Sequence, residues 1–362
     1  MTSAVSTVRR STAKVPSPSA LVTAVVLLCT ALTAAQAPIE VKVVVVTMFE
    51  RGGDTGDQPG EFQHWVERES LDRVFKFPQG WRDLRMNKDG VLGLCTGIGT
   101  AKAAASVMAL GLDPRFDLRN AYWVVAGIAG IDPADASTGS AAWAEWVVDG
   151  DLGHEIDARE IPPDWQTGYI PLRKTSPYEL PRREPDEGEV YHLLPSLVDW
   201  AFRQTKDIRL DDNEAMRAQR AKYGSHTAAQ MPPRVLKGDT LSSGTFWHGR
   251  KLSEWANAWV NYHTGGRGSY VTTAMEDTGT LQALTFLAAD GRADKRRVLV
   301  LRVGSNFDQQ RDGITAAESL AETKIGSYVA YLPAIDAAHR VASVVVRRLV
   351  QGWAEYREKL PE

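Results

Sequence analysis

VLGLCTGIGTAKAAASVMAL, residues 91–110, decides the architecture of this chain. Val91–Thr96 is a continuous apolar run of strand length, Gly97 and Gly99 bracket a tight turn, and Thr100–Leu110 is Ala-rich and closes at Gly111. A strand running straight into a helix is half of a parallel crossover. Three more runs are apolar without alternation: Val41–Thr47 (VKVVVVT), Ala121–Ala126 (AYWVVA) and Val298–Val303 (VLVLRV). Unbroken apolar strands belong to a sheet covered on both faces. Glu276–Leu287, Ile335–Tyr356 and a stretch near Leu193–Lys206 read as helices. The pattern predicts an α/β fold on a mostly parallel sheet.

The chain has 362 residues, with 42 Lys+Arg against 45 Asp+Glu and a formal net charge of −3. That balance argues against a nucleic-acid partner. A mean hydropathy of −0.27 with a single long apolar run excludes a polytopic transporter. That run, Ala20–Ala37, follows Arg9, Arg10 and Lys14 and ends in Ala35-Gln36-Ala37, the layout of a cleavable secretory leader. Residues 1–37 are therefore expected to be a signal peptide, giving a periplasmic or secreted protein with no membrane insertion after cleavage. Cleavage leaves Cys95 as the one cysteine, so no intrachain disulfide is expected. Residues 38–362 are expected to form one domain, with an irregular, Pro- and charge-rich excursion at about 150–238.

Four segments carry candidate chemistry. Thr96-Gly97-Ile98-Gly99 offers backbone N–H groups and a helix N-terminus to an anion or a hydroxyl. It lacks the third glycine of a dinucleotide fingerprint, where Lys102 stands. Gly127-Ile128-Ala129-Gly130 follows a strand and leaves room for a flat ligand, or is a close-packed turn. In Thr272–Asp277 (TTAMED), a carboxylate at a strand-to-helix junction suits two vicinal hydroxyls, or merely favours the helix N-terminus. Arg302–Asp308 (RVGSNFD) ends the last clear strand; its Asn presents donor and acceptor in one plane, and a buried strand Arg needs a paired acid. No H-E-x-x-H or G-x-S-x-G is present, and the seven histidines are scattered, so neither a metal site nor a serine hydrolase is suggested.

In order and spacing, these segments resemble the purine nucleoside permease family, within the nucleoside phosphorylase superfamily. The matching stretches are VTMFE (ending at Glu50), PGEFQHW (Pro59–Trp65), CTGIGTAKAA (Cys95–Ala104), VVAGIAGIDP (Val124–Pro133), GDTLSSGTFWHG (Gly238–Gly249), NYHTGGRGSYVTTAMEDTG (Asn261–Gly279) and VLRVGSNFD (Val300–Asp308). The insertion Arg51–Gln58 departs from the pattern and leaves the roles of Glu50 and Glu61 open. The resemblance implies a nucleoside-phosphorylase-like α/β/α sandwich with a mixed, mostly parallel, partly barrel-like central sheet, and a purine nucleoside in a cleft at the strand ends. It implies that Met275 and Glu276 hold the ribose and that Thr96, Gly97 and Gly99 face the nucleophile. Ala129, Gly130 and Asn306 would contact the base, with Phe246 or Trp247 as a stacking wall and Asp277 and Asp308 in supporting roles. A homo-oligomer is implied by the superfamily's habit.

Cleaving an N-glycosidic bond builds cation character on the sugar and negative charge on the departing purine. Asn306 would stabilise that charge, Glu276 would orient the sugar, and Glu50 or Glu61 would serve as acid or base if water attacks. No cofactor is implied; phosphate enters as the alternative to water, with Arg51 and Lys102 as its nearest cations in sequence. The alternative is a non-catalytic nucleoside-binding protein that serves uptake.

Overall fold

The computed structural model describes residues 37–180, 182, 188–322 and 328–362. The expected leader thus lies outside the described residues except for its last position, Ala37. Ile39–Glu362 forms one compact unit.

Labelling the elements that build the site, the strands are β1 (Val43–Thr47), β2 (Val91–Cys95), β3 (Tyr122–Ile131), β4 (Ala141–Ala144), β5 (Trp146–Asp149), β6 (Asp239–Ser242), β7 (Tyr270–Ala274) and β8 (Val298–Phe307). The helices are α1 (Thr100–Gly111), α2 (Arg250–Thr264), α3 (Asp277–Ala289) and α4 (Tyr331–Gln351). β3 is the hub. Its first half pairs in parallel with β1, its last residues pair antiparallel with β7, and its other edge pairs in parallel with β8. β8 also pairs antiparallel with β4, and β6 lies parallel between β5 and β7. β4 and β5 are separated by Glu145 alone. There the Asp239 carboxylate accepts the N–H groups of Glu145 and Trp146 at 3.1 and 2.8 Å. The ladder therefore runs from β3 through β7, β6, β5–β4 and β8 back to β3, which is the barrel-like curl of a mixed α/β sheet. β1 and β2 extend it as an open parallel wing.

Every residue of β1, β2 and β8 is buried, as their unbroken apolar character requires. Helix α4 turns its Val341, Val345 and Leu349 side into the same core as Val124 and Leu301. Two expected boundaries move. Gly127–Gly130 and Gly304–Phe307 are not turns after strands but the second halves of β3 and β8, which stay in register from Trp123–Val298 to Ile131–Phe307 with one irregularity between Gly304 and Asn306. Parallel pairing over this length, not local apolarity, carries the strands through the small residues. The long C-terminal helix expected to reach Tyr356 breaks at Gly352. Two strands of the 150–238 excursion, Val190–His192 and Val235–Lys237, are stitched into the main sheet against β5 and β4.

Helices α1 and α3 start side by side. A Cβ on Gly279 would lie 2.2 Å from the Thr100 carbonyl oxygen, so only glycine permits this approach. It brings the Gly97–Gly99 loop against the start of α3, where Glu276 stands.

Candidate functional site

The site begins with an arginine in a strand. Arg302, in the middle of β8, is 1% exposed and cannot lose its charge. Asp277, at the first turn of α3, is 0% exposed and takes its fork: Nε lies 3.1 Å from both carboxylate oxygens and Nη2 lies 2.7 Å from Oδ1. Nη2 also donates to Glu276 Oε2 at 3.2 Å, and Nη1 to the Ile128 carbonyl at 3.3 Å. Glu276 Oε1 accepts the Gly99 N–H at 3.1 Å.

A third carboxyl completes the group. Glu61 accepts the Met48 N–H at 2.8 Å and the Ile128 N–H at 2.7 Å, so it links the end of β1 to the middle of β3. Gly127 makes room for it: a Cβ there would lie 2.6 Å from Glu61 Oε1 and 2.8 Å from Arg302 Nη1. A glycine inside a strand marks such close approach. Two carboxyls thus pair with one buried guanidinium, and Glu61 stands across the Gly127 gap from it. Burial pushes the Glu61 carboxyl up to about 8, with Glu276 adding to the rise and Arg302 opposing it. Burial also raises Glu276, while Arg302 holds it down. Burial works against the charge of Arg302, but Asp277, Glu276 and Glu61 outweigh it and raise its value.

Glu61 and Glu276 open into a cleft that encloses about 590 Å³ of empty space, its mouth included. Its walls are largely apolar: Met48, Phe49, Ile128, Ala129 and Met275 below, with Ile98 and Phe246 at the rim, 41% and 42% exposed. Asn306, at the irregularity in β8, also lines the cleft. Its Oδ1 accepts the Ser305 hydroxyl at 2.9 Å and its Nδ2 donates to the Phe307 carbonyl at 3.0 Å. That fixes the amide orientation and leaves one N–H of Nδ2 unspent.

The structure gathers half of the expected residues here. Glu61, Ala129, Gly130, Phe246, Met275, Glu276 and Asn306 line the cleft. Others stand behind it. Glu50 accepts the N–H groups of Arg51, Gly60, Phe62 and Gln63 and so closes the 51–60 loop. Of the loop after β2, only Ile98 reaches the cleft: the Thr96 hydroxyl donates to the Thr47 and Gly97 carbonyls, and Gly97 and Gly99 adopt φ of 84° and 101°. Trp247 packs away from the cleft against Trp255 and Tyr270. Asp277 is the anchor of Arg302. Asp308 accepts the hydroxyls of Tyr270 and Ser253 at 2.6 and 3.1 Å, and burial beside Asp132 drives its carboxyl well above the usual range.

Arg302 is the residue that sequence reading noted and did not place in the site. Its signal was present, since a lone cation inside VLVLRV has to find an acid. The two cations expected near a phosphate are engaged elsewhere: Lys102 lies 4.5 Å over the Trp81 ring and Arg51 5.8 Å over Tyr331. Among the described residues, no lysine or arginine lines the cleft.

Fold and site together define an α/β protein with a partly closed sheet and a carboxyl-lined cleft at its strand ends. The sequence profile of the purine nucleoside permease family matches residues 40–361, and the chain belongs to that family. A probable purine nucleoside permease of Schizosaccharomyces pombe is 34% identical over 269 residues, covering 72% of this chain and 76% of that protein. A purine nucleoside permease of Candida albicans is 28% identical over 321 residues, covering 88% and 77%. Among solved structures, a 5'-methylthioadenosine/S-adenosylhomocysteine nucleosidase from Neisseria meningitidis matches with a TM-score of 0.49 at 15% identity, over 85% of this chain and 99% of that one. No helix among the described residues is long and apolar enough to cross a membrane.

Proposed function

We propose that the cleft binds a purine nucleoside and cleaves its N-glycosidic bond with water. The observation that carries this reading is Glu61: a carboxyl opening into an apolar cleft, with a value near 8, beside a second carboxyl held by a permanent cation. A base of that strength suits removal of a proton from water near neutral pH. The purine would lie between the apolar walls, and its family membership supports that choice of ligand.

In the reaction, water oxygen bonds to C1′ as the bond from C1′ to the purine nitrogen breaks. Ionised Glu61 takes the proton from water. Glu276 accepts hydrogen bonds from the ribose hydroxyls and steadies the positive sugar. The free N–H of Asn306 donates to the departing purine, which takes its proton from solvent. Donors aimed at charge that develops only in the transition state lower the barrier most. Phosphate fits this cleft poorly. The Gly99 N–H that would cradle it already serves Glu276, and the two carboxyls, with no lysine or arginine lining the cleft among the described residues, oppose a dianion.

The test is product analysis. Inosine, guanosine or adenosine should yield free base and free ribose at a rate independent of phosphate. Strict dependence on phosphate, with ribose 1-phosphate as product, would replace water by phosphate. Nucleoside binding with no base release would leave a binding protein. Export through the leader at residues 1–37 would place the reaction outside the inner membrane; a mature chain starting at Pro38, by intact mass, tests that.

A further inference from the structure

Three strands meet at one point of the cleft. In the sheet register Gly130 of β3 pairs with Thr273 of β7 on one side and with Asn306 of β8 on the other. Residues paired in this way share a face of the sheet. Thr273 and Asn306 therefore project side by side across a glycine, two strand spacings or about 10 Å apart at the backbone. A Cβ on Gly130 would lie 2.9 Å from Thr273 Cγ2 and 3.7 Å from Asn306 Nδ2. The two side chains thus flank a bare patch of backbone, and all three residues line the cleft.

Asn306 brings one unspent N–H to this row, and Thr273 brings a hydroxyl. Its neighbour Thr272 points to the opposite face, where its hydroxyl is bonded to that of Thr240. Thr273 is half-buried, and its hydroxyl has no partner among the described residues. Unlike the unpaired hydroxyls of Thr138 and Thr280, it is not sealed from solvent. Gly130 and Leu241 flank Thr273 within the sheet, so its open side is the cleft. A flat ring whose edge stands over Gly130 meets an N–H from one side and a hydroxyl from the other. In a purine joined to its sugar at N9, N7 and the substituent at C6 share such an edge. N7 accepts in adenine, guanine and hypoxanthine alike. The substituent is an acceptor, O6, in hypoxanthine and guanine, and an amino donor in adenine. We infer that Thr273 reads the C6 substituent while Asn306 donates to N7. A hydroxyl rotates and both donates and accepts, so one oxygen serves O6 of a 6-oxopurine and the amino group of adenine. The row admits both classes and disfavours a purine with hydrogen at C6, which leaves the hydroxyl unpaired. This inference rests on the purine reading of the cleft.

Equilibrium binding of the free bases tests it without involving leaving-group chemistry. Hypoxanthine, adenine and unsubstituted purine are titrated into the wild type, Thr273→Val and Thr273→Ser, with melting temperatures recorded for all three proteins. The wild type should bind hypoxanthine and adenine about threefold to tenfold more tightly than purine, the worth of one neutral hydrogen bond. Thr273→Val keeps the side-chain shape and should erase that preference, weakening the two substituted bases and leaving purine within about twofold. Thr273→Ser keeps the hydroxyl and should retain the preference. Equal affinity for all three bases in the wild type overturns the role of Thr273 and leaves the purine reading standing, with no variant needed. A preference that survives in folded Thr273→Val does the same, as does an equal loss for all three bases there or its loss in folded Thr273→Ser. Nucleoside binding with no free base bound also removes that role. Failure of the wild type to bind any purine base or nucleoside overturns both.

Discussion

Arg302 and Asp277 meet as a two-point ion pair sealed from solvent, with Nη2 2.7 Å from Oδ1 and side chains 1% and 0% exposed. The pair joins β8 to the start of α3 and fixes the cation against which Glu276 and Glu61 are set. Removing one partner from a buried pair leaves an uncompensated charge and costs about 3–5 kcal/mol. Asp277→Ala should therefore destabilise the protein by about that amount. Denaturant unfolding checks this; a loss under about 1 kcal/mol would mean that Arg302 finds a second anchor.

Glu276→Gln should keep the fold and weaken sugar recognition. Hydrogen bonds to charged groups contribute about 1.5–3 kcal/mol, about tenfold to a hundredfold in affinity or rate. The loss should shrink for nucleosides lacking the 2′- or 3′-hydroxyl, because those groups are its partners. Wild-type affinity in a folded variant would return Glu276 to a helix-start role.

Glu61 also makes a stability prediction. Its folded value, about 8, lies above the ordinary carboxyl value of 4.5. Between these limits the folded protein holds a proton that the unfolded chain has released, so the contribution of Glu61 to stability falls as pH rises from about 4.5 through about 8. Other buried carboxyls with raised values, Asp308 and Glu276 among them, slope the same way. Glu61→Gln should therefore flatten, not abolish, the decline in melting temperature from pH 5 to pH 9. An identical slope in the variant would show that Glu61 does not hold its proton.

Asn306→Ala should lower kcat by about a hundredfold or more while leaving substrate affinity within a few-fold. That split marks a donor used mainly in the transition state. Parallel losses in affinity, rate and melting temperature would make Asn306 a tie for the irregular stretch of β8.

Much of this architecture is legible in short stretches. Val43–Thr47, Val91–Cys95 and Thr100–Gly111 fall within a residue or two of where apolar runs and the glycine punctuation put them. What is not legible is long-range. The apolar signal stops at Gly127 and at Gly304, yet β3 and β8 carry each other onward by pairing, and Asn306 gains its position from that register. Glu50 and Glu61 look equivalent as isolated acids beside an atypical insertion. They separate because Glu61 reaches Ile128, 67 residues away, while Glu50 spends its oxygens on the loop that follows it. Arg302 shows the same limit: its need for an acid is visible in the strand, whereas the choice of Asp277 and Glu276 is made by the approach of α3 to α1.

The most direct measurement of the central claim is the pH dependence of kcat/KM for base release from inosine, which reports the groups of the free protein. With Glu61 as the base that activates water, the rate should rise with pH and level off above about 8, as its carboxyl ionises. A profile that is flat across this range, or that falls through about 8, would contradict the account.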